Sequence, residues 1–111
     1  MDWSIEERGG TAIARPRGRI DEASWQDFAA CLTACVARAA ALPSRKLVVD
    51  FSSVEYMSSR GLRALTLGKR EAEAAGVTIA LASPNEIMRE ILAISRYDKL
   101  FAICDTVEAA L

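Results

Sequence analysis

A short apolar run followed closely by an amphipathic segment is the feature of this sequence that most restricts its fold. The run Leu47–Phe51 is almost continuously apolar, as in a strand that is covered on both faces of a parallel sheet. Between Leu62 and Ala75, apolar residues recur at roughly helical spacing and charged residues lie between them. The pattern predicts a buried strand, a loop and a helix, with Ser58 and Ser59 where the helix begins.

The position of these two serines allows two different roles. Backbone N–H groups in the first turn of a helix lack intrahelical partners, and a Ser hydroxyl there can accept a hydrogen bond from one of them. The same N–H groups and the helix dipole favour an anion, including a phosphate on the serine itself. A phosphoserine would add roughly −1.5 to −2 charge, with Arg60 and Arg63 close in sequence. On the residues alone, a helix cap is the more frequent role.

The first residues of the chain predict an antiparallel hairpin. Polar and apolar residues alternate in Trp3–Glu7, Gly9 and Gly10 form a turn signal, and Thr11–Arg15 is a second short strand candidate. Because proline lacks the N–H that a central ladder needs, we expect the second strand to be interrupted or bulged at Pro16.

The remaining elements alternate between helices and strands. Apolar residues at helical spacing from Glu22 to Leu42 predict a right-handed crossover helix between parallel strands. Further along, the patterns predict a strand at Val77–Leu81 and then a helix with Pro84 at its first position. The apolar face of this helix is expected to contain Ile87, Ile91, Leu92 and Ile94, with Met88 at its margin. A strand at Phe101–Cys104 and a terminal helix capped by Asp105 or Thr106 complete the predicted elements. The predicted fold is a single α/β domain over residues 1–111, with a mixed, mostly parallel sheet, an N-terminal antiparallel hairpin and roughly four helices.

Composition and charge argue against several functional classes. Hydrophobic residues make up 51% of the chain and charged residues 26%, as in ordinary globular proteins. The net charge of −1 provides no basic excess for nucleic-acid phosphates, so we expect no nucleic-acid partner. Apolar stretches are too short and too interrupted by charge for a membrane span, and Met1–Glu7 lacks the features of a signal peptide. We therefore expect a cytoplasmic protein.

The sequence offers little for catalysis or metal binding. It contains no His and no Gly-rich phosphate loop, and its three cysteines, an odd number, are expected to be buried small side chains: Cys31, Cys35 and Cys104. Asp50 is the one carboxylate that we expect near the serine loop, either as a functional group or as a strand-end acid that binds loop N–H groups. The chain is therefore expected to be a binding module, not an enzyme, without a cofactor.

Three segments resemble one known family. The segment Asp50–Leu65 resembles the signature of STAS domains, most closely that of anti-sigma factor antagonists, in which a strand ending in Asp, an apolar pair, a phosphoacceptor Ser and a Gly-Leu follow at this spacing. Gly18–Asp21, which opens the first helix, and the tail Tyr97–Leu111 are also similar to the family. The resemblance extends over nearly the whole chain from about Gly10 onward.

The resemblance implies site residues. When the sequence is aligned on Met57 and the Gly61-Leu62 pair, the phosphoacceptor of the family falls on Ser59, with Ser58 as the alternative. Many members have Asp where this chain has Ser58. Asp21 also has a plain structural role as an N-cap or first-turn acid. Contacts with a partner are expected at these residues: Asp21, Asp50, Met57, Ser58, Arg60, Gly61 and Arg63.

The resemblance also implies a function. In the family, an unphosphorylated antagonist binds an anti-sigma factor that is also a serine kinase, which releases the sigma factor. The kinase then phosphorylates the antagonist, and a metal-dependent serine phosphatase reverses the reaction. ATP and metal belong to those partners, so no cofactor is expected on this chain. Two alternatives remain: a constitutive STAS scaffold in a signalling or lipid-transport assembly, and a domain that senses a small ligand or nucleotide at the helix start.

Overall fold

A computed structural model describes all residues from 1 to 111 and contains six strands and four α-helices. The strands are β1 (Asp2–Arg8), β2 (Thr11–Ile20), β3 (Lys46–Asp50), β4 (Val54–Met57), β5 (Thr78–Ala82) and β6 (Ala102–Cys104). The helices are α1 (Trp25–Ala40), α2 (Ser59–Ala74), α3 (Glu86–Ile94) and α4 (Val107–Ala110), and a 3₁₀ turn spans Tyr97–Lys99.

All six strands form one sheet in the order β1-β2-β3-β5-β6, with β4 beside the second half of β2. β1 and β2 pair antiparallel around the turn at Gly9 and Gly10, and the other four pairings are parallel. Helices α1, α2 and α3 connect parallel strands. Such connections have to be long, because the chain must return to the other end of the sheet before the next parallel strand begins. The predicted mixed, mostly parallel α/β fold with an N-terminal hairpin and four helices is therefore confirmed.

The strand β4 was not predicted from the sequence, which indicated a loop over these residues. It forms because β2 extends past the end of β3 and leaves its second half free to pair. There Gly18, Arg19 and Ile20 lie opposite Val54, Tyr56 and Met57. Val54 and Met57 are buried, so four residues are sufficient to attach the segment before α2 to the sheet.

Pro16 does not interrupt β2, and the prediction of a break or bulge at this residue is wrong. Pro16 lies opposite Trp3 and between the two parallel ladders of β2, because pairing with β3 ends at Ala14 and pairing with β4 begins at Gly18. The missing N–H is therefore not required by either parallel neighbour. The irregularity comes two residues later, between Gly18 and Arg19, where Gly18 has φ 95°.

The sheet separates a large core from a small one. Alternate residues of β2, β3 and β5 point to opposite faces. One face meets α1, α2 and α3 in a cluster of 23 buried residues, with Phe28 and Leu32 of α1 among the fully buried side chains. The other face meets only α4, in a cluster of six buried residues: Ile13, Val48, Ala80, Ala82, Val107 and Ala110. None of the helices combines the length and apolar character needed to cross a membrane.

Helix α3 differs in detail from the prediction. Asn85 is the N-cap, with its Oδ1 accepting a hydrogen bond from Met88 N at 2.7 Å, so Pro84 precedes the cap and is not the first helical residue. Met88 is fully buried, whereas Ile87 and Ile94 are exposed. Hydrophobicity alone cannot show which of two apolar residues, Met or Ile, is the more buried, because the burial of each depends on the element that packs against it.

The side chain of Asn85 also connects α3 to the sheet. Its Nδ2 donates to the carbonyl oxygen of Val54 at 3.1 Å and to that of Glu55 at 3.4 Å, both on β4. In the last helix, Thr106 accepts from Ala109 N at 3.0 Å, so of the two predicted caps it is the one used.

Candidate functional site

The two candidate serines have separate structural roles. Ser58 is the N-cap of α2: its Oγ accepts from Gly61 N at 3.5 Å, and its backbone N donates to Ile20 O at 2.8 Å. Ser59 is the first helical residue, is exposed, and makes no hydrogen bond through its hydroxyl. The cap is therefore provided by one serine, and the hydroxyl of the other is accessible at the positive end of a helix of 16 residues.

Gly61 lets α2 approach the sheet closely. A Cβ added at this glycine would lie 2.5 Å from Met57 Cγ and 2.7 Å from Ile20 Cγ2. Both distances are shorter than the contacts that Cβ atoms make in proteins. Met57 is itself only 2% exposed. The expectation that a partner contacts Met57 and Gly61 directly does not fit their burial. Both residues instead fix the position of the helix start that carries Ser59.

The starts of α1 and α2 meet beside Ser59. The Arg60 Nε lies 2.7 Å from a carboxylate oxygen of Glu22, and its guanidinium lies 5.6 Å from the centre of the Trp25 ring. Trp25, Arg60 and Arg63 line a surface hollow of about 290 Å³, called here the arginine hollow. Arg60 and Arg63 are thus exposed close to Ser59, and their contact with a partner stays a prediction. Glu22 and Trp25 were missed, because in the sequence they read as ordinary helix residues.

Asp21 shapes the turn before α1 but does not cap the helix. Its Oδ1 accepts from Ala23 N at 3.0 Å and from Ser24 Oγ at 3.3 Å, and its carbonyl accepts from Trp25 N at 2.9 Å. The helix begins at Trp25, with Ser24 at the N-cap position. The expectation that Asp21 is an N-cap or first-turn acid of α1 is therefore wrong, because residues 22–24 form a separate turn between Asp21 and the first helical residue. Asp21 remains partly exposed on the α1 side of the site.

Asp50 does not reach the serine loop. It is 6% exposed, its Oδ1 accepts from Ser52 N at 2.9 Å, and its Oδ2 accepts from Arg15 Nε at 3.0 Å. Asp50 lies two residues after Val48 in β3, so the two side chains point to the same face of the sheet. Val48 packs under α4, and Asp50 therefore lies on the face opposite α2. Of the two predicted roles, the strand-end acid that binds a loop N–H is the one seen. The same Arg15 also bonds Glu6 and lowers the pKa of that carboxyl from its ordinary value.

The cysteines form no accessible reactive group near the site. Cys31 and Cys35 are fully buried one turn apart on α1, and Cys104 is partly buried in β6. The neighbouring Cys35 thiol, together with burial, raises the pKa of the Cys31 thiol, so this thiol stays protonated at neutral pH.

Comparison with known proteins assigns the chain to a family. The profile described as "STAS domain" matches residues 2–110. The chain belongs to the STAS domain family. BtrV of Bordetella bronchiseptica, whose name marks it as a candidate anti-sigma factor antagonist, is 26% identical to this STAS domain over 110 residues, covering 99% of this chain and 91% of BtrV. A STAS-domain containing protein of Pseudomonas aeruginosa is 33% identical over 87 residues, covering 78% and 81% of the two chains.

Solved structures share the fold of this STAS domain. The crystal structure of an anti-sigma factor antagonist from Mycobacterium paratuberculosis superposes with a TM-score of 0.84 at 23% identity, covering 98% of this chain and 89% of that one. The anti-sigma factor antagonist SpoIIAA in its unphosphorylated form superposes with a TM-score of 0.76 at 19% identity, covering 98% and 92%. The phosphorylated form of SpoIIAA from Bacillus gives a TM-score of 0.69 at 21% identity, with coverage of 98% and 96%.

Proposed function

We propose that this STAS domain is an anti-sigma factor antagonist, a cytoplasmic binding module without catalytic activity whose docking is switched by phosphorylation of Ser59. The observation that carries the proposal is the exposed, unbonded Ser59 hydroxyl at the first position of α2, while Ser58 alone serves as the cap. The name of BtrV and the two phosphorylation states of SpoIIAA support the same function.

The proposed partner is an anti-sigma factor with serine kinase activity, and the cycle is closed by a metal-dependent serine phosphatase. Unphosphorylated antagonist binds the anti-sigma factor and releases the sigma factor. The kinase uses its own ATP to phosphorylate Ser59, and the phosphatase uses its own metal to remove the phosphate. The antagonist supplies only the surface around Ser59, to which Asp21, Arg60 and Arg63 contribute exposed or partly exposed side chains.

The physical basis of the switch is the change in charge at one position. In the free protein, a phosphate on Ser59 is tolerated because the helix dipole and the neighbouring arginines favour an anion there. In the complex, the same phosphate has to lose water and meet the partner surface, and like-charge contact across an interface costs several kcal/mol. A loss of about 3 kcal/mol weakens binding roughly a hundredfold, because ~1.4 kcal/mol is a factor of ten. No refolding is needed.

The direct test is phosphorylation by an anti-sigma factor kinase from the same organism. Wild type, Ser59→Ala and Ser58→Ala are incubated with the kinase and ATP, and the phosphopeptides are identified by mass spectrometry. We expect Ser58→Ala to accept phosphate and Ser59→Ala to remain unmodified. If wild type gains no phosphate at either serine, the proposed switch is wrong.

A second variant separates a switch from a constitutive scaffold. Ser59→Asp places a negative charge at the first helical position, where the helix dipole favours it, so the variant should fold normally. A phosphorylation switch predicts that this variant binds the anti-sigma kinase much more weakly than wild type. Unchanged binding of Ser59→Asp would favour a scaffold in which Ser59 has no regulatory role.

A further inference from the structure

The arginine hollow combines an apolar wall with two cationic groups. Trp25 is the first residue of α1, and Arg60 and Arg63 lie in the first two turns of α2. The indole ring offers a flat apolar surface, and each guanidinium offers a planar set of N–H donors that matches a carboxylate. Buried Trp and Arg side chains are also the residue types that contribute most to binding energy at protein interfaces.

The charges of the arginine hollow are not balanced within the chain. Arg60 is paired with the single carboxylate of Glu22, and both side chains are largely exposed, at 57% and 69%. Arg63 is exposed and has neither a hydrogen bond nor an ion pair. Two cations therefore share one carboxylate, although the chain as a whole carries a net charge of −1. The hollow thus has a local positive excess, and an anionic group is the complementary occupant.

We propose that the arginine hollow accepts an acidic side chain, Asp or Glu, of the protein that docks at Ser59. Before docking, Arg60 is paired with Glu22, and the carboxylate of the partner then displaces Glu22 from Arg60. The displacement is easy because an exposed ion pair is weak and solvent-screened, whereas the new pair forms in an interface that excludes water. The inference rests on the proposed function, since it names the chemistry of the partner at the same surface.

This arrangement adds competition to the phosphorylation switch. Ser59 and Arg63 are four residues apart on α2, so their side chains lie on the same face of the helix. A phosphate on Ser59 brings a dianion to the guanidinium that the acidic side chain of the partner would use. Phosphorylation then weakens docking in two ways, by repelling the partner's carboxylate and by binding its cationic counterpart.

The test compares single substitutions by titration calorimetry with an anti-sigma factor kinase from the same organism, at low and at raised salt. Arg63→Met and Arg60→Met keep much of the aliphatic stem and remove the charge. Arg70→Met is the matched control, because Arg70 is an exposed arginine of α2 outside the hollow. We expect Kd to rise about tenfold or more for Arg63→Met, with a shallower salt dependence, and to stay within about twofold for Arg70→Met.

Glu22→Gln tests the displacement separately. Removing the carboxylate frees Arg60, so this variant should bind as tightly as wild type or a few-fold more tightly. If Glu22→Gln binds more weakly, Glu22 is itself a contact and the displacement is wrong. If wild type binds the kinase and Arg60→Met and Arg63→Met bind equally well, the arginine hollow takes no acid, while the antagonist function stands. If wild type neither binds the kinase nor accepts phosphate, both proposals fail. Circular dichroism confirms that each variant is folded.

Discussion

Replacement of Gly61 by Ala should destabilise the protein even though it removes a glycine from a helix. The added Cβ would lie 2.5 Å from Met57 Cγ and 2.7 Å from Ile20 Cγ2. Both neighbours are almost fully buried, at 2% and 0% exposure, so neither can move into solvent. Overpacking of this kind costs about 1–3 kcal/mol. Because the added Cβ would meet two buried side chains under 3.0 Å, the upper part of this range applies, about 2–3 kcal/mol. The gain in helix propensity offsets at most about 1 kcal/mol, which leaves a net loss of about 1–2 kcal/mol.

The assay is urea denaturation followed by circular dichroism, with the free energy of unfolding extrapolated to zero denaturant. Gly68→Ala is the matched control on the same helix, because its added Cβ would meet one buried side chain and not two, at longer distances: Leu32 Cδ1 at 2.9 Å and Leu32 Cβ at 3.3 Å. We expect Gly68→Ala to stay within about 1 kcal/mol of wild type, since the propensity gain and a smaller clash oppose each other. A Gly61→Ala variant as stable as wild type would refute the packing argument.

Three further predictions concern stability. Ser58→Ala should lose about 1 kcal/mol, because it removes the cap of α2, whereas Ser59→Ala should change stability by less than about 0.5 kcal/mol; thermal unfolding measures both. Glu6→Gln should reduce stability at pH 7 and match wild type in strong acid, which urea titrations at several pH values would show. Arg15 lowers the pKa of Glu6 in the folded protein below its ordinary value of 4.5. The stabilisation by the ionised carboxylate is therefore present above that pH and is lost as the pH falls through the lowered pKa. Tyr97→Phe should cost about 1 kcal/mol in urea denaturation, because its hydroxyl bonds a carbonyl and a hydroxyl of α2; an unchanged midpoint would contradict this.

The order of elements could be predicted from the sequence because each long element has a strong periodic pattern. The apolar run of β3 and the helical spacing of α1 and α2 determine which faces are buried before any tertiary contact is considered. β4 could not be predicted in this way, since four residues show no clear period and their pairing depends on how far β2 extends beyond β3. The same pairing explains why Pro16 is tolerated within a continuous strand.

The candidate site was predicted only in part, for a related reason. Ser58 and Ser59 follow directly from the start of α2, a local feature that the sequence displays. Asp50 was placed near the serine loop because it ends the preceding strand, but the side of the sheet to which it points depends on strand parity and on Arg15. The contact between Trp25 and α2 joins residues that are distant in sequence, and no local pattern reports such a contact.

The double hydrogen bonding of Asn85 explains why an amide, and not an acid, stands at the start of α3. An aspartate would serve equally well as acceptor for Met88 N, and by helix-dipole arguments even better. It would, however, turn a second negative oxygen toward the carbonyl groups of Val54 and Glu55, where Asn85 now donates. Deamidation or an Asn-to-Asp exchange would thus preserve α3 while weakening its attachment to β4, the strand that leads into Ser59. This one side chain therefore links the stability of the third helix to the position of the candidate phosphorylation site.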